Sequence, residues 1–229
     1  MKRTTPVWLS LILLLLWCGS LPAQYTPSLV VQGGNGKVIS SAVSSNGKLL
    51  LTGSMGGAVW LWEVETGRKI RPYPGLSQGV YAVAISPDHR FVLAGGENLE
   101  IVLWDLKSAD VVQKFPNPRG GVCTVVAFSP DGQHILTGGW RSPAKLWNAH
   151  TYALEQDLST DDITAAAFSP DSREVILAHH RQFIRYAVAS GQETGSWTAT
   201  AADNAPTALV EPGLVYLPDQ RAVLTKNNL

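Results

Sequence analysis

The residues that could do chemistry are few and scattered. His179-His180 is the best pair for a metal, yet adjacent side chains on a strand point to opposite faces, and in a turn they rarely converge. They read as exposed turn residues. Asp161-Asp162 has the charge to hold a cation but sits between two apolar runs, as a solvated connecting loop does. Cys123 lies inside the strand-like run Val122–Val126 and reads as a small buried apolar thiol. As a nucleophile it would need a His or Asn beside it in space. Asp105, Asp131 and Asp171 recur at turn positions, where an Asp side chain accepts nearby backbone N–H groups, so their first role is structural. The chain has no phosphate loop, no Gly-x-Ser-x-Gly and no His-Glu-x-x-His. The expectation is a non-catalytic protein with no cofactor and no metal.

Composition narrows the partners. Lys plus Arg number 18 and Asp plus Glu number 18, so no basic excess points to nucleic acid and no acidic block forms a tail. Charged residues are 16% of the chain, below the usual quarter, and 21 glycines suit tight turns between strands better than long surface helices.

The elements that position these residues repeat. Ile85-Ser86-Pro87-Asp88, Phe128-Ser129-Pro130-Asp131 and Phe168-Ser169-Pro170-Asp171 each stand between two apolar runs. A second phrase follows each of them: Leu103-Trp104-Asp105, Leu146-Trp147-Asn148 and Arg185-Tyr186-Ala187. Ser45-Asn46-Gly47 with Leu61-Trp62-Glu63 is an earlier copy, and Pro218-Asp219 is a looser fifth. The turn residues at 46, 88, 131, 171 and 219 are 42, 43, 40 and 48 apart. Short strands and turns at a period near 40 predict the blades of an all-β propeller, each blade four antiparallel strands.

The first unit reads as strands Val38–Val43, Lys48–Thr52, Ala58–Trp62 and Lys69–Tyr73, joined at Asn46-Gly47, Gly56-Gly57 and Thr66-Gly67. The second is Val80–Ile85, Arg90–Ala94, Glu100–Trp104 and Val111–Phe115. The third is Cys123–Phe128, His134–Thr137, Ala144–Trp147 and Tyr152–Glu155. The fourth is Ile163–Phe168, Glu174–Ala178, Phe183–Tyr186 and Glu193–Trp197. Ala165-Ala166-Ala167 favours helix by propensity, but it fills the slot of Ala82-Val83-Ala84, and the repeat overrides it. Gly213–Asp219 and Arg221–Thr225 match only the first half of a fifth unit. The expected architecture is four full blades plus a partial fifth. Its exposed edges would favour self-association.

The first residues are a separate object. Met1-Lys2-Arg3 is basic, Val7–Trp17 is almost wholly apolar, and Cys18–Ala23 is small-residue rich, the three parts of a secretory signal peptide. Residues 1–23 are read as the signal, 24–36 as a leader with Leu29–Gln32 as a candidate closing strand, and 37–229 as the propeller. Cleavage after Ala23 or Ser20 gives a periplasmic or secreted chain with no membrane contact. Retention as an anchor and acylation of Cys18 are the alternatives.

Together these repeats resemble the WD40 family of β-propellers, in particular bacterial forms. Ala127-Phe128-Ser129-Pro130-Asp131-Gly132 matches the family's turn phrase fully, and Trp104-Asp105 its terminal dipeptide, with Trp62-Glu63 and Trp147-Asn148 as variants. The resemblance covers Val38 to Trp197. Where the family places an Asp before the third strand, this chain has Gly56, Asn98, Arg141 and His180, so no blade can build the family's full Asp-His-Ser/Thr-Trp network. The resemblance implies binding through loops at one end of the blades. The residues before those replaced positions are Met55, Glu97, Trp140 and His179, and with Arg141 they form the candidate protein-binding face. Trp140-Arg141 is the sharpest pair, an aromatic anchor beside a guanidinium, or else a ring that only steadies its own turn. The implied function is a non-catalytic interaction or scaffold module outside the cytoplasm, its partner an unidentified protein. The alternatives are the sensor part of a larger exported enzyme and a periplasmic carbohydrate or small-molecule binder.

Overall fold

The structure is a computed structural model that describes residues 36–97, 101–116, 121–159, 162–179 and 182–198, and the backbone of 212–216 and 222–226. Leu29–Gln32, the signal, Asp161 and His180 lie outside the described residues. Four sheets of four strands follow one another, each built from hairpins alone. The first holds β1 (Val38–Val43), β2 (Leu49–Ser54), β3 (Val59–Glu63) and β4 (Lys69–Tyr73). The second holds β5 (Val80–Ile85), β6 (Phe91–Gly96), β7 (Ile101–Asp105) and β8 (Val111–Phe115). The third holds β9 (Val122–Phe128), β10 (His134–Trp140), β11 (Ser142–Asn148) and β12 (Leu154–Ser159). The fourth holds β13 (Ala165–Phe168), β14 (Glu174–His179), β15 (Gln182–Ala187) and β16 (Glu193–Thr198). A two-stranded sheet of β17 (Pro212–Tyr216) and β18 (Ala222–Lys226) comes last. The fold class is the expected one, all-β with four blades of four antiparallel strands, and among the described residues there is no helix.

The repeated Ser phrase makes the turn between first and second strands. In blade 3 the Ser129 hydroxyl donates to Asp131 Oδ1 (2.5 Å) and accepts from His134 N–H (2.9 Å), while Asp131 Oδ1 accepts from Gln133 N–H (3.0 Å). Ser44 with Asn46, Ser86 with Asp88 and Ser169 with Asp171 repeat the arrangement. Each turn is closed by a backbone bond onto the Ser carbonyl from a residue at positive φ: Gly47 (70°), His89 (57°), Gly132 (71°) and Ser172 (62°). Glycine takes this conformation without strain, whereas His89 and Ser172 hold it with a side chain attached. Both side chains reach the turn of the preceding blade. His89 Nε2 lies 2.8 Å from Ser45 Oγ, and Ser172 Oγ accepts from Asp131 N–H at 3.0 Å.

Several strand limits differ from expectation. β12 begins at Leu154 rather than Tyr152, because Tyr152 sits at φ 60° and closes the turn from Asn148. Lys48 and Arg90 belong to turns rather than strands, since their N–H groups are held by Asn46 and Asp88 side chains.

The core is a series of inter-blade layers. Leu51, Leu61 and Tyr73 of blade 1 meet Val92, Val102 and Trp104 of blade 2. Leu93, Leu103 and Phe115 meet Cys123, Ile135 and Trp147, and Leu136, Leu146 and Leu158 meet Phe168, Val175 and Leu177. Trp104 is fully buried, as its repeat position predicts. The family's polar network survives as its last link: Trp62 Nε1 donates to Thr52 Oγ1 (2.8 Å) and Trp147 Nε1 to Thr137 Oγ1 (2.9 Å). Blade 2 has Ala94 at that place, and the Trp104 indole donates instead to the Pro74 carbonyl (2.9 Å).

Successive blades touch through glycine. A Cβ on Gly53 would lie 2.6 Å from Val80 Cγ1, one on Gly95 2.6 Å from Cys123 Sγ, and one on Gly138 2.5 Å from Ile163 Cδ1. The second strand of each of the first three blades is thus pressed, at its C-terminal end, against the start of the next. Gly95→Ala is expected to cost about 1–3 kcal/mol by overpacking, read as a lowered denaturant midpoint. Combined with Cys123→Ala, which removes the sulfur, the loss should be smaller than the sum of the singles. Additive losses would mean that the glycine is not where the blades meet.

Candidate functional site

The C-terminal ends of β2, β6 and β10 lie where the following blade begins, because Gly53, Gly95 and Gly138 pack there. The five candidate residues sit at this end. Met55 is in the turn between β2 and β3, its N–H donating to the Lys37 carbonyl (2.8 Å) and its side chain 52% exposed. Glu97 follows β6, half-buried; its N–H donates to the Gly79 carbonyl (3.2 Å) and its carboxylate accepts from Tyr81 Oη (2.7 Å).

Trp140 and Arg141 form a tight two-residue turn between the paired Gly139 and Ser142. Arg141 takes φ 52°, and its guanidinium stands 5.6 Å from the Trp140 ring, which is 55% exposed. The turn is held from the neighbouring blade: Arg141 N–H donates to Asp162 Oδ1 at 2.7 Å. The Asp162 carbonyl also accepts from His179 Nδ1 at 2.9 Å, which puts the imidazole proton on Nδ1.

Asp162 therefore joins Trp140-Arg141 of blade 3 to His179 of blade 4. Sequence reasoning missed it, placing it in a solvated loop. It is half-buried and bonded through both side chain and carbonyl. Nothing in the local sequence marks this, because its partners are 17 and 21 positions away. His179 is likewise half-buried and tethered at the end of β14, not an exposed turn residue. Met55 and Glu97 belong to blades 1 and 2 and share none of these bonds.

Among the described residues, no three His, Cys, Asp or Glu side chains group to hold a metal ion. Burial pushes the Cys123 thiol up to about 12, so it is not a nucleophile at neutral pH. What the face can offer is an exposed aromatic, an exposed thioether and a guanidinium.

The opposite end is polar and internally satisfied. Asp105 Oδ1 accepts from Ser108 and Lys107 N–H, both at 2.8 Å, and these bonds hold its carboxyl below the ordinary range. The Ser169 hydroxyl does the same for Asp171, with help from Arg173 N–H. For Asp131, partial burial pushes upward, but the Ser129 and Gln133 bonds outweigh it and the net direction is down.

A carboxyl held low when folded adds stability above its unfolded value and loses it as pH falls through the folded one. Thermal melts should therefore be level above about pH 5 and fall progressively below it. Asp131→Asn with Asp171→Asn should lower the neutral plateau slightly and shrink the acid fall, since Asn46 already fills this turn position without charge. An unchanged acid fall would locate the responsible carboxyls elsewhere.

A family model described as WD domain, G-beta repeat matches residues 26–63, 67–105 and 109–148, together about half of the chain. Among curated proteins, a ribosome biogenesis protein WDR12 homolog of Drosophila persimilis is 30% identical over 170 residues, covering 70% of this chain and 39% of that protein. WD repeat-containing protein SL1-17 of Schistosoma mansoni is 25% identical over 137 residues, covering 59% and 45%. The chain thus spans less than half the length of these relatives. Among solved structures, the Cps50 (Swd1) β-propeller domain of Myceliophteria thermophila superposes with a TM-score of 0.71 at 13% identity, over 85% of this chain and 63% of that one. That likeness shows the fold, and with the repeat matches it establishes that the chain belongs to the WD40 repeat family of β-propellers.

Proposed function

We propose that the chain is a non-catalytic scaffold that docks a protein partner through the blade end carrying Met55, Trp140, Arg141 and His179. The placement of its exposed apolar side chains carries this reading. Among the described residues, Val43, Val111, Leu154 and Trp197 are exposed on first or outer strands, whereas Met55 and Trp140 are exposed at turns of one end. A large aromatic over half exposed beside a guanidinium suits an interface anchor better than a stability role. The other end spends its polar groups on its own turns.

The test compares proteins retained by the purified chain and by variants. Trp140→Ala should deplete a specific partner about tenfold or more, as loss of an anchor does, while Val111→Ala, exposed on an outer strand, should not. Equal retention by both would overturn the docking face.

The location we propose is outside the cytoplasm. The basic Met1-Lys2-Arg3 start, the apolar Val7–Trp17 run and the small-residue Cys18–Ala23 exit support it. N-terminal sequencing of exported material should begin at Gln24 or Leu21. An intact Met1 in every fraction would overturn export.

A further inference from the structure

Blade 1 carries a cleft one wall of which, Gly56-Gly57, follows Met55 in the same turn. It is an open depression of about 280 Å³ between the β3–β4 edge and the connection to blade 2. Trp60, Pro72, Pro74 and Leu76 wall it, with buried Tyr73 beneath and the glycine turn Gly56-Gly57 at one side. Gly57 takes φ 81°, and a Cβ there would meet the Leu76 and Gln78 carbonyls at 3.1 Å, so a bare backbone is what lets this wall close up.

None of the residues lining the cleft is charged. A positive charge stands at one wall: Lys69 Nζ is 4.7 Å from the Trp60 ring centre and 5.1 Å from that of Trp62, while the charges of Arg71 and Asp105 also act on Tyr73. Lys69 is exposed, and among the described ion pairs none takes it, whereas its neighbour Arg68 is paired with Glu63.

We infer that this cleft is a side-chain pocket for one apolar or aromatic residue of a protein segment that carries carboxylates beside that residue. The inference rests on the docking reading, of which it would be a second contact. Three observations select the occupant. The volume lies below that of ordinary small-molecule pockets and suits a single side chain. Pro72, on the outer strand β4, has no N–H to offer a further strand, so recognition there is by insertion and not by sheet extension. The unpaired Lys69 ammonium favours an anionic neighbour to the inserted group and repels a cationic one. A nucleic acid also joins negative charge to a flat ring. Against it, the chain has no net positive charge, and one lysine neutralises few phosphates.

The experiment uses the full chain and short labelled Gly-Ser peptides with one central Phe or Leu, flanked by Asp/Glu, by Ser or by Lys, read by fluorescence anisotropy. The acidic peptide should bind tightest and the basic one weakest. Lys69→Glu should erase the preference for the acidic over the neutral peptide, a change of about two- to fivefold for an exposed charge pair. Pro72→Glu should weaken all three peptides, with melting curves showing that both variants fold. Equal binding of the three flanks, no binding of any, or tighter binding of a single-stranded RNA oligomer would each overturn the pocket. If Trp140→Ala abolishes peptide binding while Lys69→Glu and Pro72→Glu change nothing, the docking face stands and the pocket falls. If the two pocket variants act and Trp140→Ala does not, the pocket stands on its own.

Discussion

The structure depends on how closely the second strand of one blade approaches the first strand of the next. At Gly53, Gly95 and Gly138 there is no space for even a methyl group against Val80, Cys123 and Ile163. That contact sets the spacing of the apolar layers, in which side chains such as Leu51, Leu103 and Leu146 fill a gap of fixed width. It also fixes which loops share an end. The next blade must begin beside the glycine, so the turn just beyond it, with Met55, Glu97 or Trp140, falls beside the following connection. In blade 4 the matching residue is Ala178, fully buried.

Why some of this was legible in the sequence, and some not, follows from the range of the interactions. The Ser-Pro-Asp turns are local: donor and acceptor lie two to five residues apart, so composition alone places them. Trp104 could be assigned to the core because a repeat aligns it with Trp62 and Trp147. The glycine contacts were equally periodic, at Thr52-Gly53, Ala94-Gly95 and Thr137-Gly138, and went unread because glycine was taken only as a turn former. Their role is visible only once Cys123 and Ile163 are seen to press on them. At the candidate site, membership of the turn could be read from the repeat, but Asp162 could not. Its bonds to Arg141 and His179 cross from one blade to the next, and no local pattern encodes that.

The polar network shows how a repeat tolerates change. Trp62 and Trp147 keep a threonine partner, whereas Trp104 faces Ala94 and turns to a backbone carbonyl. A buried indole N–H needs an acceptor, but the fold does not specify which one. Tyr186 with Leu177 in blade 4 carries the substitution further, and the strand pairing is kept: Val175 opposes Tyr186 as Ile135 opposes Trp147.

The left-handed residues His89 and Ser172 have a consequence for how neighbouring blades are joined. Each accepts backbone strain that Gly47 and Gly132 avoid, and each ties its turn to the blade before it. These ties couple blade 1 to blade 2 and blade 3 to blade 4. Between the turns of blades 2 and 3 the described residues show no matching bond. The polar ties thus group four similar units into two doublets, and the seam between Asp88 and Asp131 is held instead by the apolar layer of Leu93, Phe115, Ile135 and Trp147.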